Sequence, residues 1–231
     1  MTVSFQGSLL DQSAQVALGP LTAARRTELG RGAWVDLLPG WMTGSDALFE
    51  RLTVAVPWRA ERRQMYDRVV RVPRLLCYYG VNERLPDPAL AAAMDALSRH
   101  YGPELGEPLR TAGLCLYRDG QDSVAWHGDN SGRQVHETVV AILSLGTPRA
   151  LLLRPRGGGP ARRYEVGHGD LLVMGGTCQR TWVHAVPKAA RAAGPRISVQ
   201  YRPRGIRWPG GSAGYPGRMA RAQMPRSGQE L

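Results

Sequence analysis

A chain of 231 residues is long enough to bury one substantial core, and one domain with extensions suits that length better than two. Thirty lysines and arginines against 19 aspartates and glutamates leave a formal charge of +11, a surplus that favours a polyanionic partner, nucleic acid ahead of a membrane surface. No apolar run approaches the ~20 residues of a spanning helix, no basic-then-apolar leader opens the chain, and Cys77, Cys115 and Cys178 form no Cys-x-x-Cys pair. These features argue against a membrane protein, a disulfide scaffold and a zinc cage, and predict a soluble, cytoplasmic monomer with reduced thiols.

In chain order, residues 1–30 read as a lead-in with little periodicity, and Trp34, Leu37, Leu38 and Trp41 follow as core contacts. "SDALFERLTVAV" predicts a helix with Ser45 as its N-cap. "DPALAAAMDALSRHYG" predicts a second, with Asp87 capping, Pro88 in the first turn, Leu90, Met94 and Leu97 on one face, and Gly102 as the stop. From residue 109 the texture changes to short apolar or alternating runs, "GLCLY", "TVVAILSL", "ALLLRP", "RRYEV", "DLLVM", "TWVHAV" and "RISVQYR", split by turn residues. That is the pattern of a β-sandwich or barrel. Residues 31–205 thus read as one domain, helical to about 108 and β from 109, and residues 206–231 as a disordered basic Gly/Pro/Arg-rich tail.

"DSVAWHGDN" follows a predicted strand and sets His127 and Asp129 two residues apart, a spacing that on a strand points both to one face. A third ligand would have to come from His100, His136, His168 or His184. His184 is the strongest candidate, because "TWVHAVP" alternates Trp182, His184 and Val186 toward a core, while His100 and His168 sit at a helix end and a turn, and His136 lies beyond a loop. Two histidines and one carboxylate make the facial triad of non-heme Fe(II) oxygenases, which leaves one side of the metal open. In "RISVQYR", Arg196, Ser198, Gln200 and Arg202 share one face. Buried guanidiniums there would need an anion, and a dicarboxylate chelating the metal would supply one; the alternative is a solvated face.

These residues resemble the AlkB-like Fe(II)/2-oxoglutarate-dependent dioxygenases: "WHGD", "RTWVHAVP" and the Arg-x5-Arg of "RISVQYR" occur in the family's order. "VPRLLCYYG" is similar to the Pro-Arg…Tyr-Gly segment of its nucleotide-recognition lid, and the likeness spans roughly residues 60 to 205. The resemblance implies a mainly β fold with flanking helices, in which a double-stranded β-helix (jelly-roll) core is preceded by N-terminal helices and that lid. It implies His127, Asp129 and His184 as the catalytic iron ligands, with 2-oxoglutarate and O2 as cosubstrates. Arg196 would meet the distal carboxylate of 2-oxoglutarate and Tyr117 would add a hydroxyl. Ser198 and Cys115 stand where the family carries Asn, and Arg202 would lie near the cosubstrate or the target base. A thiol is a weaker hydrogen-bonding group than an amide, so Cys115 is a departure.

For substrate the resemblance implies Arg74 for phosphate, Tyr78 or Tyr79 for base stacking or backbone contact with Tyr79 preferred, Asn130 for the base and Arg180 at the rim. The implied activity is direct-reversal repair: oxidative demethylation of 1-methyladenine or 3-methylcytosine in methylated DNA, or alternatively RNA, with release of formaldehyde and succinate. Two other readings stand beside it: a dioxygenase acting on a protein or small molecule, and a nucleic-acid-binding member with weakened catalysis.

Overall fold

A computed structural model describes residues 15–65, 68–129, 136–189 and 194–203, without the side chains of 63–65, 68–71 and 105. The first half of the lead-in, Asn130 and the basic tail lie outside the described residues.

The chain enters through β1 (Ala17–Leu18), β2 (Arg25–Gly30), β3 (Ala33–Leu38) and β4 (Met42–Thr43), then α1 (Ser45–Ala55). The strands β5 (Arg59–Met65) and β6 (Arg68–Tyr79) follow, and then α2 (Pro88–Leu105). The β half comprises β7 (Leu109–Tyr117), β8 (Val124–His127), β9 (Val140–Gly146), β10 (Arg149–Pro155), β11 (Arg162–Val166) and β12 (Leu171–Gly176). It closes with the short α3 (Cys178–Thr181), β13 (Trp182–Val186) and β14 (Arg196–Pro203). Eight strands pair in the order β2-β3-β12-β9-β14-β7-β6-β5, and a smaller sheet runs β11-β10-β13-β8. The pairings are antiparallel, and the two sheets face each other as a jelly roll.

Strict alternation builds two cores. In β14, Ile197, Val199 and Tyr201 join Ala141, Leu143 and Leu145 of β9 and Leu114 and Leu116 of β7 on the outer face of the large sheet. There Leu48, Phe49 and Leu52 of α1 and Leu90, Ala93 and Leu97 of α2 cover them. The intervening residues face the small sheet, where Cys115, Tyr117, Ile142 and Met174 meet Leu151, Leu153, Trp182 and Val186. Because both faces are covered, strands such as "VAILSLG" are buried throughout and almost wholly apolar.

The sequence reading differs from this most broadly before residue 109, which reads as helical with a lid but carries six strands beside α1 and α2. Residues 25–38, half assigned to the lead-in, form a hairpin that extends the large sheet; their alternation is masked because β2 is an exposed edge. Ser45 begins α1 as predicted, but the N-cap is Gly44 with φ 68°, and the Ser45 hydroxyl instead donates to the Met42 carbonyl at 2.7 Å. Helix α2 is capped by Asp87 and has Pro88 in its first turn, yet it runs past Gly102 through Pro103 and ends at Gly106, whose φ of 65° suits glycine. The lid-like segment "VPRLLCYY" belongs to β6, where Leu75 to Tyr79 pair with β7. No described helix is long and apolar enough to cross a membrane.

The edge hairpin is clamped to α2 by a buried network. Asp36, 4% exposed, accepts from Arg26 Nε and Nη2, each at 2.8 Å, and from the Tyr101 hydroxyl at 3.0 Å. Arg26 also reaches Glu104 at 2.9 Å and covers the Trp34 ring at 3.6 Å. Asp36→Ala leaves the buried Tyr101 hydroxyl unpaired, and is expected to cost about 2–4 kcal/mol. Thermal unfolding should move down by roughly 5–15 °C for a chain of this size.

Candidate active site

His127 closes β8 and His184 lies mid-strand in β13, directly opposite it in the ladder, with ring centroids 4.2 Å apart. The next pair is Val124 with Val186, three residues on in one strand and two in the other. This bulge lets Val124 pack inward while His127 also points into the space between the sheets. Asp129 follows the end of β8, so a loop and not the strand's period of two brings it round. Its backbone N–H donates to Gln179 Oε1 at 3.3 Å and its Oδ2 accepts from Arg202 Nε at 2.8 Å. Any side chain on Gly128 would run into the Arg156 guanidinium and the Gln179 carbonyl, so this residue keeps the turn small. The result is one ligand atom from each of His127, Asp129 and His184 within 4.8 Å of one another.

Electrostatics prepares these groups for a cation. Burial pushes the His184 imidazole down to about 3, with His127 adding to the effect, and burial lowers His127 as well. Burial alone would raise Asp129, but Arg202 and His184 outweigh it and hold the carboxyl at about 2. Two neutral imidazoles and one carboxylate are therefore present at neutral pH, a donor set suited to Fe(II). His127 Nδ1 lies 2.9 Å from the Ala125 carbonyl, which places the ring proton there and leaves the Nε2 lone pair available to a metal.

The same shifts set an acid limit in the metal-free protein. The unfolded chain charges a histidine near 6.5 while His184 stays neutral to about 3, so below pH 6.5 the unfolded state binds more protons. Stability from the neutral ring is complete above pH 6.5 and is lost as pH falls toward 3; Asp129 acts with the same sign from 3.8 down to about 2. Thermal unfolding followed against pH is expected to decline below 6.5, and His184→Asn to flatten the upper part of that limb.

On the same side of β14 as Arg202, Arg196 is 2% exposed, its Nε donates to the Ser144 hydroxyl at 2.8 Å, and its Nη1 is buried without a partner. The Tyr117 ring lies 5.2 Å from its guanidinium carbon. A guanidinium with a buried unfilled donor is costly unless an anion meets it, and a carboxylate of 2-oxoglutarate fits that need. Ser198 and Cys115 converge on Gln200, whose Nε2 donates to Ser198 Oγ at 2.8 Å and lies 3.5 Å from Cys115 Sγ. Arg202, read from sequence as a cosubstrate or base contact, is paired through Nε with Asp129 and steadies a carboxylate of the candidate metal cluster.

The substrate residues read from sequence divide. Tyr78 shares the site-facing side of β6 with Leu76, whereas Tyr79, the preferred one, lies on the other side against the helix-covered core. Neighbours on a strand face opposite ways, and register decides which. Arg74 is not at a phosphate-accessible surface: it is 8% exposed, and its Nη1 donates to the Ser123 carbonyl at 3.2 Å. Arg180 is exposed on α3, next to the Gln179 that holds Asp129. Trp126 sits under Arg154 at 4.2 Å, and Trp182 is buried between the sheets.

Two supports went unread in the sequence. Buried Gln179 holds Asp129, and buried Arg149 donates to the carbonyls of Asp119, Asp122 and Pro187 at 3.0, 2.8 and 2.7 Å, tying the approach to β8 to the end of β13. Neither carries a local signal, since an arginine opening an apolar strand and a glutamine in a short helix have many uses.

The profile of the 2OG-Fe(II) oxygenase superfamily matches residues 35–204. Alpha-ketoglutarate-dependent dioxygenase alkB homolog 3 of Bos taurus is 30% identical over 197 residues, 75% of this chain and 69% of that protein. DNA oxidative demethylase ALKBH2 of Arabidopsis thaliana is 28% identical over 192 residues, 67% of this chain and 60% of the relative. Among solved structures, that of OsALKBH1 superposes with a TM-score of 0.55 at 15% identity, over 78% of this chain and 100% of that one. A 2OG-Fe(II) oxygenase family oxidoreductase from Burkholderia pseudomallei gives 0.54 at 13% identity, over 73% and 84%.

Proposed function

This chain belongs to the AlkB-like 2OG-Fe(II) oxygenases, and from that premise we propose that it demethylates N-alkylated bases, of the 1-methyladenine and 3-methylcytosine type, in DNA or RNA. The observation that carries the reading is the His127, Asp129 and His184 cluster together with the unfilled donor of Arg196, which shares a strand face with the Arg202 that pairs with Asp129. When bound, iron with 2-oxoglutarate and O2 supplies oxidation of the N-methyl group, which leaves as formaldehyde while succinate and CO2 form. The chain's own residues do the rest. His127 and His184 offer neutral nitrogens, Asp129 is fixed by Arg202 and Gln179, and Arg196 and Tyr117 orient the cosubstrate.

The +11 charge supports a nucleic-acid substrate over a small molecule. Methylated bases of this type carry a positive charge and pair poorly, so they leave the stack at lower cost, and the position of Tyr78 on the site-facing side of β6 supports its stacking on one. The test is formaldehyde release from a single-stranded oligonucleotide carrying 1-methyladenine or 3-methylcytosine, with Fe(II), 2-oxoglutarate and ascorbate each omitted in turn. Release that requires iron and 2-oxoglutarate is the expected result. Turnover of 2-oxoglutarate without formaldehyde from any methylated strand would transfer the chain to protein or small-molecule substrates.

A further inference from the structure

Across β14, β7 and β6, register places Arg196 opposite Tyr117, and Leu75 opposite Leu116, so that Arg74 comes next to Tyr117 from the other side. An Arg-Tyr-Arg row therefore crosses three strands on the face that looks into the site, with Ser198, Cys115 and Leu76 forming the row beneath it. The two arginines share an unusual condition. Arg196 Nη1 and Arg74 Nε are both buried and both without a hydrogen-bond partner. Among the described residues Glu61 acts on Arg74 through space, as the last and smallest of its influences. Arg74 Nη1 donates to the carbonyl of Ser123, which precedes the strand carrying His127, and its guanidinium also interacts with the Cys115 sulfur.

Two unfilled, buried guanidinium donors on either side of one tyrosine call for an anion with two ends. Arg196 stands at the end of the row toward Ser144 and Arg149, and Arg74 at the end toward the metal strand. Electrostatic coupling agrees: Arg74 acts on Cys115, Tyr117 and His127. We propose that Arg74 is a second cosubstrate-binding residue, gripping the metal-end carboxylate of 2-oxoglutarate and replacing the donor that Cys115 does not supply. A thiol is a weak donor, and the Cys115 sulfur is already shared with the Gln200 amide, whereas a guanidinium N–H to a carboxylate is a charge-assisted bond. This goes beyond the substrate reading and holds whichever substrate the oxygenase takes.

The test is binding, not turnover: calorimetry on Mn(II)-loaded protein with 2-oxoglutarate and with 2-oxovalerate, which lacks the distal carboxylate. Arg74→Met is expected to weaken both ligands by a similar factor, roughly tenfold or more, with Mn(II) affinity unchanged. Arg196→Met should weaken 2-oxoglutarate alone. Cys115→Asn in the Arg74→Met background should regain a good part of the loss, because it restores a donor in the adjoining row. Arg74→Lys, which keeps the charge but lacks Nε–H, shows a smaller loss of the same pattern and answers the question if the methionine variant misfolds. Affinities within twofold of the parent would overturn the proposal while leaving the oxygenase reading intact. So would a loss confined to 2-oxoglutarate, or one seen only with oligonucleotide, which would make Arg74 a phosphate contact. Failure of the unaltered protein to bind 2-oxoglutarate would strike the cosubstrate assignment itself.

Discussion

His127→Ala and His184→Ala are each expected to abolish formaldehyde release and to lower iron content after reconstitution to a trace. Donor count sets the size of the effect. Three protein atoms, within 4.8 Å of one another, are the whole metal-binding set found among the described residues. Two donors do not hold a divalent ion against water and buffer. Both rings are neutral for physical reasons, burial above all, so neither adds charge to the folded apo site, and their loss acts mainly on metal affinity. A milder change nearby calibrates the result: Gln179→Ala removes only the side chain that holds the Asp129 backbone, and should weaken metal affinity by about 10- to 100-fold. Iron content and turnover, measured on the same preparations with circular dichroism as the control for folding, check both. Full turnover in His127→Ala would place the metal centre elsewhere.

How far the sequence foresaw this site depended on how local each signal was. The alternation of "RISVQYR" was readable because period two is a property of consecutive residues, and the structure puts Ile197, Val199 and Tyr201 on one core and the arginines on the other side. His184 was readable for the same reason. Asp129 was named from its spacing, but the physical cause was different: β8 stops at His127, and a Gly128 turn with Gln179 beneath it brings the carboxylate round. Which of Tyr78 and Tyr79 faces the site depended on the β6–β7 register, and that is decided by partners some 35 residues away in sequence. Arg74 shows the limit most clearly. Beside Pro73 and two tyrosines it looked like a phosphate contact, and only the pairing of β6 with β7 shows it buried beside Tyr117. The hairpin of β2 and β3 escaped notice because an edge strand with one exposed face carries few apolar residues.

Arg202→Met should lower the thermal midpoint of the metal-free protein on the order of 10 °C, and Mn(II) should return most of that loss. The Arg202 and Asp129 side chains are only 6% and 12% exposed, and Nε meets Oδ2 at 2.8 Å. Removing one partner of a buried pair strands the other, at a cost of about 3–5 kcal/mol, much of it the desolvation of the remaining charge. In this site the stranded group is a metal ligand, so a divalent cation supplies the missing positive charge. Arg202 and the metal are thus partly interchangeable as counter-charges for Asp129. Unfolding followed with and without Mn(II), for the parent and for Arg202→Met, forms a cycle whose coupling term measures that interchange. A larger stabilisation by Mn(II) in the variant than in the parent is the expected sign. Equal stabilisation in both would mean that Arg202 is a structural pair with no bearing on the metal. In the loaded enzyme Arg202, by occupying one carboxylate oxygen of Asp129, would leave the other to hold the ion. The variant, free to chelate with both oxygens, should therefore keep its metal yet lose activity.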